Sequence, residues 1–110
     1  MTLSKYQQLA ESTLADNLRG ELTARIDHAL YGLFAEAGEV AGVLQKAERG
    51  DYGGGEALDK LYDELGDVLW YLAETCSAYG WDLDEIAADN LDKLQSRQSR
   101  GTIRGSDRDE

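Results

Sequence analysis

Apolar residues recur at helical spacing through four stretches of this 110-residue chain, with polar residues filling the faces between them. The first stretch runs from about Leu3 to Leu18 on Leu3, Tyr6, Leu9/Ala10, Leu14 and Leu18. The second, from about Glu21 to Arg49, carries Leu22, Ile26, Ala29/Leu30, Leu33, Ala37, Val40, Leu44 and Ala47. Such sustained 3-4 spacing predicts amphipathic helix. It stops at Gly50-Asp51-Tyr52-Gly53-Gly54-Gly55, the strongest breaker in the chain. The third stretch, about Glu56 to Tyr79, has its seam on Leu58, Leu61, Leu65, Val68/Leu69, Leu72 and Cys76, and Gly80 suits its C-cap. Asp82 then opens a fourth helix, with Glu85 placed for a capping box. That helix carries Leu83, Ile86/Ala87, Leu91 and Leu94 before fading into SRQSRGTIRGSDRDE. With no proline anywhere to break a helix, the pattern predicts an all-α, four-helix-bundle-like domain over residues 1–100. Residues 101–110 continue the basic C-terminal end, counted from residue 93, as a tail and a candidate mobile segment.

A chain of this length supports one domain with a modest core, and oligomerisation is a natural way to bury more surface. The charge is −11, from 22 acids and 11 bases. That balance argues against a general nucleic-acid binder and against docking on an anionic membrane. It is unevenly spread: residues 1–92 hold 19 acids and 6 bases, residues 93–110 hold 3 acids and 5 bases. A lone cysteine, Cys76, allows no intrachain disulfide, and its place on an apolar stripe makes it a buried structural thiol. MTLSKYQQLA has no apolar signal core, and no apolar run approaches the ~20 residues of a membrane span. The expected location is cytoplasmic.

Two acidic pairs stand out within the helices. Glu36/Glu39 in AEAGEV and Glu64/Asp67 in DELGDV are each spaced i, i+3, with 24 residues between Glu39 and Glu64. Residues three apart on a helix are surface neighbours, so each pair sets two like charges side by side. At 100° per residue, all four fall on helix flanks, roughly 80–145° from the centre of their own apolar stripe. Antiparallel packing of the two helices would bring four carboxylates to one small volume, which calls for a hard divalent cation, Mg²⁺ first. Scattered solvated acids are the plain alternative for either pair alone. Two pairs, each interrupted by a glycine (Gly38, Gly66) that costs ~1 kcal/mol in a helix, favour metal binding. A ferritin-like di-iron site needs E-x-x-H ligands, and the chain has one histidine, His28, which reads as a helix-face residue. Carboxylates alone suit Mg²⁺ or Mn²⁺ better than iron or zinc.

The fourth helix offers a complement. Asn90 falls on its apolar stripe, where a buried amide must find partners, and Lys93, Arg97 and Arg100 follow at spacings of 3, 4 and 3. A basic helix C-terminus also simply suits the macrodipole. Beside a metal cluster, those cations fit the phosphate oxygens that share Mg²⁺ with protein carboxylates. Trp70, Tyr71 and Trp81 are candidates to stack on a base, although at this spacing each is more often packing. Trp70 lies far from its helix's apolar stripe, so a covered Trp70 would mark a subunit interface.

GLFAEAGEVAGVLQK, DELGDVLWYLA and NLDKLQSR followed by RGTIRGS, with the early YQQLAEST, resemble the MazG-like branch of the all-α nucleoside triphosphate pyrophosphohydrolases. The likeness covers about Tyr6 to Ser106; Ala35 stands where many members carry another acid or a glycine. The resemblance implies hydrolysis of a (deoxy)nucleoside triphosphate to the monophosphate and pyrophosphate, as nucleotide-pool house-cleaning. It implies Mg²⁺ held by Glu36, Glu39, Glu64 and Asp67; a carboxylate not fully engaged by the metal, Glu39 or Glu64, is then the candidate base that takes a proton from water. It implies nucleotide contacts from Lys46, Asn90 and Lys93, with Arg97 a weaker candidate; Tyr71 is a substrate-binding candidate from its place beside the acids rather than from the resemblance. It also implies a homodimer or a dimer-of-dimers with sites near subunit interfaces. Two other classes fit the residues: a non-catalytic helical interaction module, and a phosphohydrolase of another diphosphate-containing metabolite.

Overall fold

A computed structural model describes residues 1–101 of the chain. It consists of α1 (Leu3–Glu11), a 3-10 turn (Asp16–Leu18), α2 (Leu22–Arg49), α3 (Gly54–Tyr79) and α4 (Leu83–Ser99). No strand occurs among the described residues, so the all-α class holds. The expected tail lies outside the described residues apart from Gly101.

Local chemistry sets the ends of these helices. Gly50 and Gly80 sit at φ 86° and 77°, the left-handed region that side chains disfavour. Each closes a Schellman motif: Asp51 N–H donates to the Lys46 carbonyl at 2.9 Å, and Trp81 N–H to the Cys76 carbonyl at 2.8 Å. Asp82 caps α4 by accepting from the Asp84 amide at 3.0 Å; the side chain of Glu85 is not used for the cap. The first helix is shorter than its apolar spacing predicts. Thr13 donates its hydroxyl back to the Ala10 carbonyl at 2.6 Å, a local bond that competes with helix continuation. Arg19 then takes up the Glu11 and Leu14 carbonyls at 3.0 and 2.8 Å. Leu14 is still buried, reached through the turn rather than along a helix.

α2 and α3 form the main antiparallel hairpin; α1 lies across the C-terminal half of α3, and α4 rests chiefly on α1. One small cluster ties Ala10, Ala73, Cys76 and Leu83, with Tyr6, Leu69 and Trp70 packed around it. Gln7 fastens the corner between α3 and α4. Its amide N–H groups donate to the Trp81 carbonyl (2.8 Å) and the Ser77 hydroxyl (3.1 Å), and its carbonyl accepts from the Leu83 amide (2.8 Å). Cys76 is buried as expected, and burial pushes its thiol up. Trp70 is covered by α1 of its own chain, with its indole N–H on the Thr13 hydroxyl at 2.9 Å. A subunit interface is therefore not needed to explain it.

The long apolar seam of α3 is only partly internal. Leu61, Val68 and Leu69 are half-buried, whereas Leu58, Leu65, Leu72 and Tyr79 are 68%, 53%, 37% and 43% exposed. These four stand seven residues apart, the spacing of a coiled-coil seam. The buried interior is built instead from small residues such as Ala29, Val43, Ala57, Ala73 and Ala78. A single facing helix covers one strip of its neighbour, and an apolar stripe ≳ 100° wide exceeds that strip. The four helices thus form a run of pairings within one chain, not a closed ring. A Cα radius of gyration of 17.0 Å, against ~13 Å for a compact domain near this length, fits that openness.

Candidate metal centre

The antiparallel pairing of α2 with α3 brings Glu36 opposite Glu64 and Asp67. One carboxylate oxygen from each of these three lies within 4.8 Å of the others. Glu39 stands outside this trio, one turn further along α2, and lines a pocket of about 260 Å³ that shares Glu64 with the cluster. The rest of that pocket is Val43, Lys46, Tyr52, Lys60 and Asp63. Of the four acids expected to converge, three therefore do so tightly and the fourth forms the adjoining wall. Lys46 is brought beside them from the last turn of α2.

The electrostatics are those of a site waiting for positive charge. Glu36 is pushed up to about 7, first because its carboxyl shares a hydrogen bond with that of Glu64. Burial adds to this, and so do the charges of Glu64, Asp67 and Glu39. Oε2 of Glu64 is buried and receives no hydrogen bond, so with both carboxyls ionised nothing satisfies it. Several acids elsewhere in the chain do have cationic partners. Arg25 donates to both oxygens of the buried Glu74 at 2.9 and 2.7 Å and to Glu11 at 2.7 Å; Asp16 pairs with Arg19 and Asp51 with Arg49. Among the described residues, none of the four motif acids has an ion pair. Clustered carboxylates, an orphaned buried oxygen and no cationic side chain in contact make a donor set that fits a hard divalent cation.

Aromatic residues close one end of the cluster. Tyr71, one turn beyond Asp67, lies where a Cβ on Gly32 would fall, so only glycine at position 32 admits the ring. Trp70 meets Tyr71 edge-on at 4.9 Å, and His28 lies tilted against it at 5.9 Å with Nδ1 buried and unbonded. Tyr6 of α1 is also close: burial, then the charge of Asp67, raises its phenol. Trp81 stacks on Tyr79 at the α3–α4 corner, away from the carboxylates in sequence and packing. Asn90 and Lys93 are exposed on α4 and Arg97 is half-buried there. Within one chain, none of these three lines the pocket beside Glu64.

Comparison with known proteins decides the family. The model of the MazG nucleotide pyrophosphohydrolase domain matches residues 25–102, a span that holds all four motif acids. The chain belongs to the MazG family. A curated relative, the "Gene 37 protein" of Mycobacterium phage L5, is 41% identical over 83 residues, which are 74% of this chain and 73% of that protein. No solved structure matches the chain. MazG membership implies a nucleotide substrate and a hydrolase acting on phosphoanhydride bonds. The matched region begins after α1, so Tyr6 and Thr13, the hydroxyl partner of Trp70, are contributed from outside it. Among the described residues, no helix is long and apolar enough to cross a membrane.

Several site features were not among the sequence expectations: Tyr52, Lys60 and Asp63 in the pocket, and the Arg25–Glu74–Glu11 ion cluster. Helical phase carried a signal for Lys60, which stands four residues before Glu64 on the same face. Tyr52 reaches the pocket through the chain reversal, which no periodicity encodes.

Proposed function

We propose that this MazG protein hydrolyses a (deoxy)nucleoside triphosphate to the monophosphate and pyrophosphate, with Mg²⁺, or Mn²⁺ in its place, as the metal. The observation that carries this reading is the trio Glu36, Glu64 and Asp67, within 4.8 Å and without cationic partners, on a nucleotide pyrophosphohydrolase domain. These three would hold the ion, which when bound would offset phosphate charge and lower the pKa of a coordinated water. Glu39, outside the trio but on the wall shared with Glu64, is the carboxylate left to accept the proton of the attacking water. Lys46 neutralises phosphate oxygens. The α–β phosphoanhydride breaks, water supplies the new oxygen, and pyrophosphate leaves.

The same reading includes an oligomer. The heptad-spaced face Leu58–Leu65–Leu72–Tyr79 supports packing against a second copy as a homodimer, or a dimer-of-dimers. Asn90, Lys93 and Arg97 would then serve a partner's carboxylates rather than those of their own chain. House-cleaning of the nucleotide pool is the role this chemistry suits. The test is a panel of common and damaged (deoxy)nucleoside triphosphates, assayed for pyrophosphate release with Mg²⁺ and with chelator. Release should require the metal and vanish in Glu64→Ala and Asp67→Ala while helicity is retained. Wild-type rates in either variant, or no release from any triphosphate, would overturn the proposal.

A further inference from the structure

The pocket beside Glu64 has a second lysine whose role no motif assigns. Resting on the hydrolase reading above, we propose that Lys60 is a phosphate-binding residue opposite Lys46. Their shared pocket takes the pyrophosphate end of the triphosphate, and the nucleoside end points along the hairpin toward Tyr71.

Consider first where the cations of this acidic chain are used. Residues 1–92 contain six bases. Arg19, Arg25 and Arg49 form ion pairs, and Lys5 donates to Gln8 at 3.4 Å. The remaining two, Lys46 and Lys60, line this one pocket. Neither has a carboxylate within ion-pair distance among the described residues, although Glu39, Asp63 and Glu64 line the same pocket. Two ammonium groups gathered at one point without an ion pair, beside carboxylates that would share a metal ion, suit the oxygens of a metal-bound polyanion that arrives from solution.

Lys60 is also held in place. Its Nζ lies 5.4 Å above the centre of the Tyr52 ring, a cation–π contact. The Tyr52 hydroxyl donates to the Val43 carbonyl at 3.1 Å, so the ring is fastened back onto α2. The glycine-rich turn thereby presents Lys60 across the hairpin mouth from Lys46. A cavity of about 260 Å³ falls below the ~300–1,000 Å³ of whole-ligand pockets, so it accommodates part of a nucleotide. The hairpin gives the direction. Reading along α3 from the turn come Lys60, then Glu64 and Asp67, then Tyr71 seated on Gly32. Lysines thus lie on the turn side of the carboxylates and aromatic rings on the other, about 16 Å from Lys60 to Tyr71 at 1.5 Å per residue.

Calorimetric titration of the full chain with inorganic pyrophosphate in Mg²⁺, beside a nucleoside monophosphate, tests this. Lys60→Ala should weaken pyrophosphate binding about tenfold, as loss of a charge-assisted contact predicts, with monophosphate affinity unchanged. Lys60→Arg should largely restore it, and the exposed control Lys5→Ala should match wild type. Equal pyrophosphate affinity in wild type and Lys60→Ala overturns the proposal, as does selective loss of monophosphate, or a wild type that binds no pyrophosphate. These titrations do not depend on turnover. A chain that hydrolyses no triphosphate but loses pyrophosphate with Lys60→Ala would refute the reaction and leave the lysine pocket standing.

Discussion

Replacing Glu36 by Gln should make the metal-free protein more stable at neutral pH while removing its response to Mg²⁺. Glu36 is held at about 7 against an ordinary 4.5, chiefly by its hydrogen bond with Glu64 and by burial. A folded-state value above the unfolded one means the native protein binds more protons across this interval. The contribution of Glu36 to stability is therefore complete below pH ~4.5 and is lost as pH rises toward 7. At ~1.4 kcal/mol per pH unit the gap corresponds to roughly 3 kcal/mol. Solvent reaching the half-buried carboxyl discounts this to about 1–2 kcal/mol. In a domain near 100 residues that is on the order of 5–10 °C in Tm.

The assay is thermal unfolding in EDTA from pH 5 to 8 at fixed protein concentration, repeated with saturating Mg²⁺. Wild type should lose stability with rising pH in EDTA, and Glu36→Gln should lose less, since its amide can donate to Glu64 at every pH. Mg²⁺ at one hundred times its Kd should return ~2.7 kcal/mol to wild type and much less to the variant. A wild-type profile flat from pH 5 to 8, or a variant with the same slope, would refute the carboxyl pair as the source of the strain.

Arg25→Met should destabilise by about 3–5 kcal/mol, because it leaves Glu74 buried without its partner; urea unfolding measures this, and Arg25→Met/Glu74→Leu should recover most of the loss. Gly32→Ala gains ~1 kcal/mol of helix propensity but drives a methyl into the Tyr71 ring at ~1–3 kcal/mol of overpacking. A net loss in Tm with a raised KM is expected, and a more stable variant with wild-type KM would remove Tyr71 from the site. Leu65→Glu should leave folded helices but reduce the assembly to monomers in sedimentation, whereas a wild type that sediments as a monomer would refute the heptad face as an interface.

How far the sequence reveals this site depends on the kind of regularity each residue obeys. Glu36, Glu64 and Asp67 were legible because a helix converts spacing into direction, and antiparallel pairing needs only a short glycine-rich reversal between two amphipathic runs. The existence of four helices followed from the same period. What failed were judgements about which apolar residues face inward. Leu58 and Leu65 share the seam with Leu61 and Val68, yet only the second pair is half-buried, because one neighbouring helix cannot cover so wide a stripe. Periodicity identifies a face that must be covered; it does not say whether the cover lies in the same chain. Trp70 shows the converse: off the main stripe by phase, it is covered by α1, whose end is set by side-chain bonds from Thr13 and Arg19. The same limit explains why Asn90, Lys93 and Arg97 could be placed on one helix edge but not beside particular carboxylates. α4 rests chiefly on α1, and under the proposed assembly its basic edge would serve the carboxylate trio of another copy. That arrangement makes a sharp demand. If α4 serves a partner's trio, mixing inactive Glu64→Ala with inactive Lys93→Ala should restore up to about a quarter of wild-type activity per site, from random pairing in a twofold dimer. No recovery on mixing, with subunit exchange verified, would return Lys93 to the surface of its own chain.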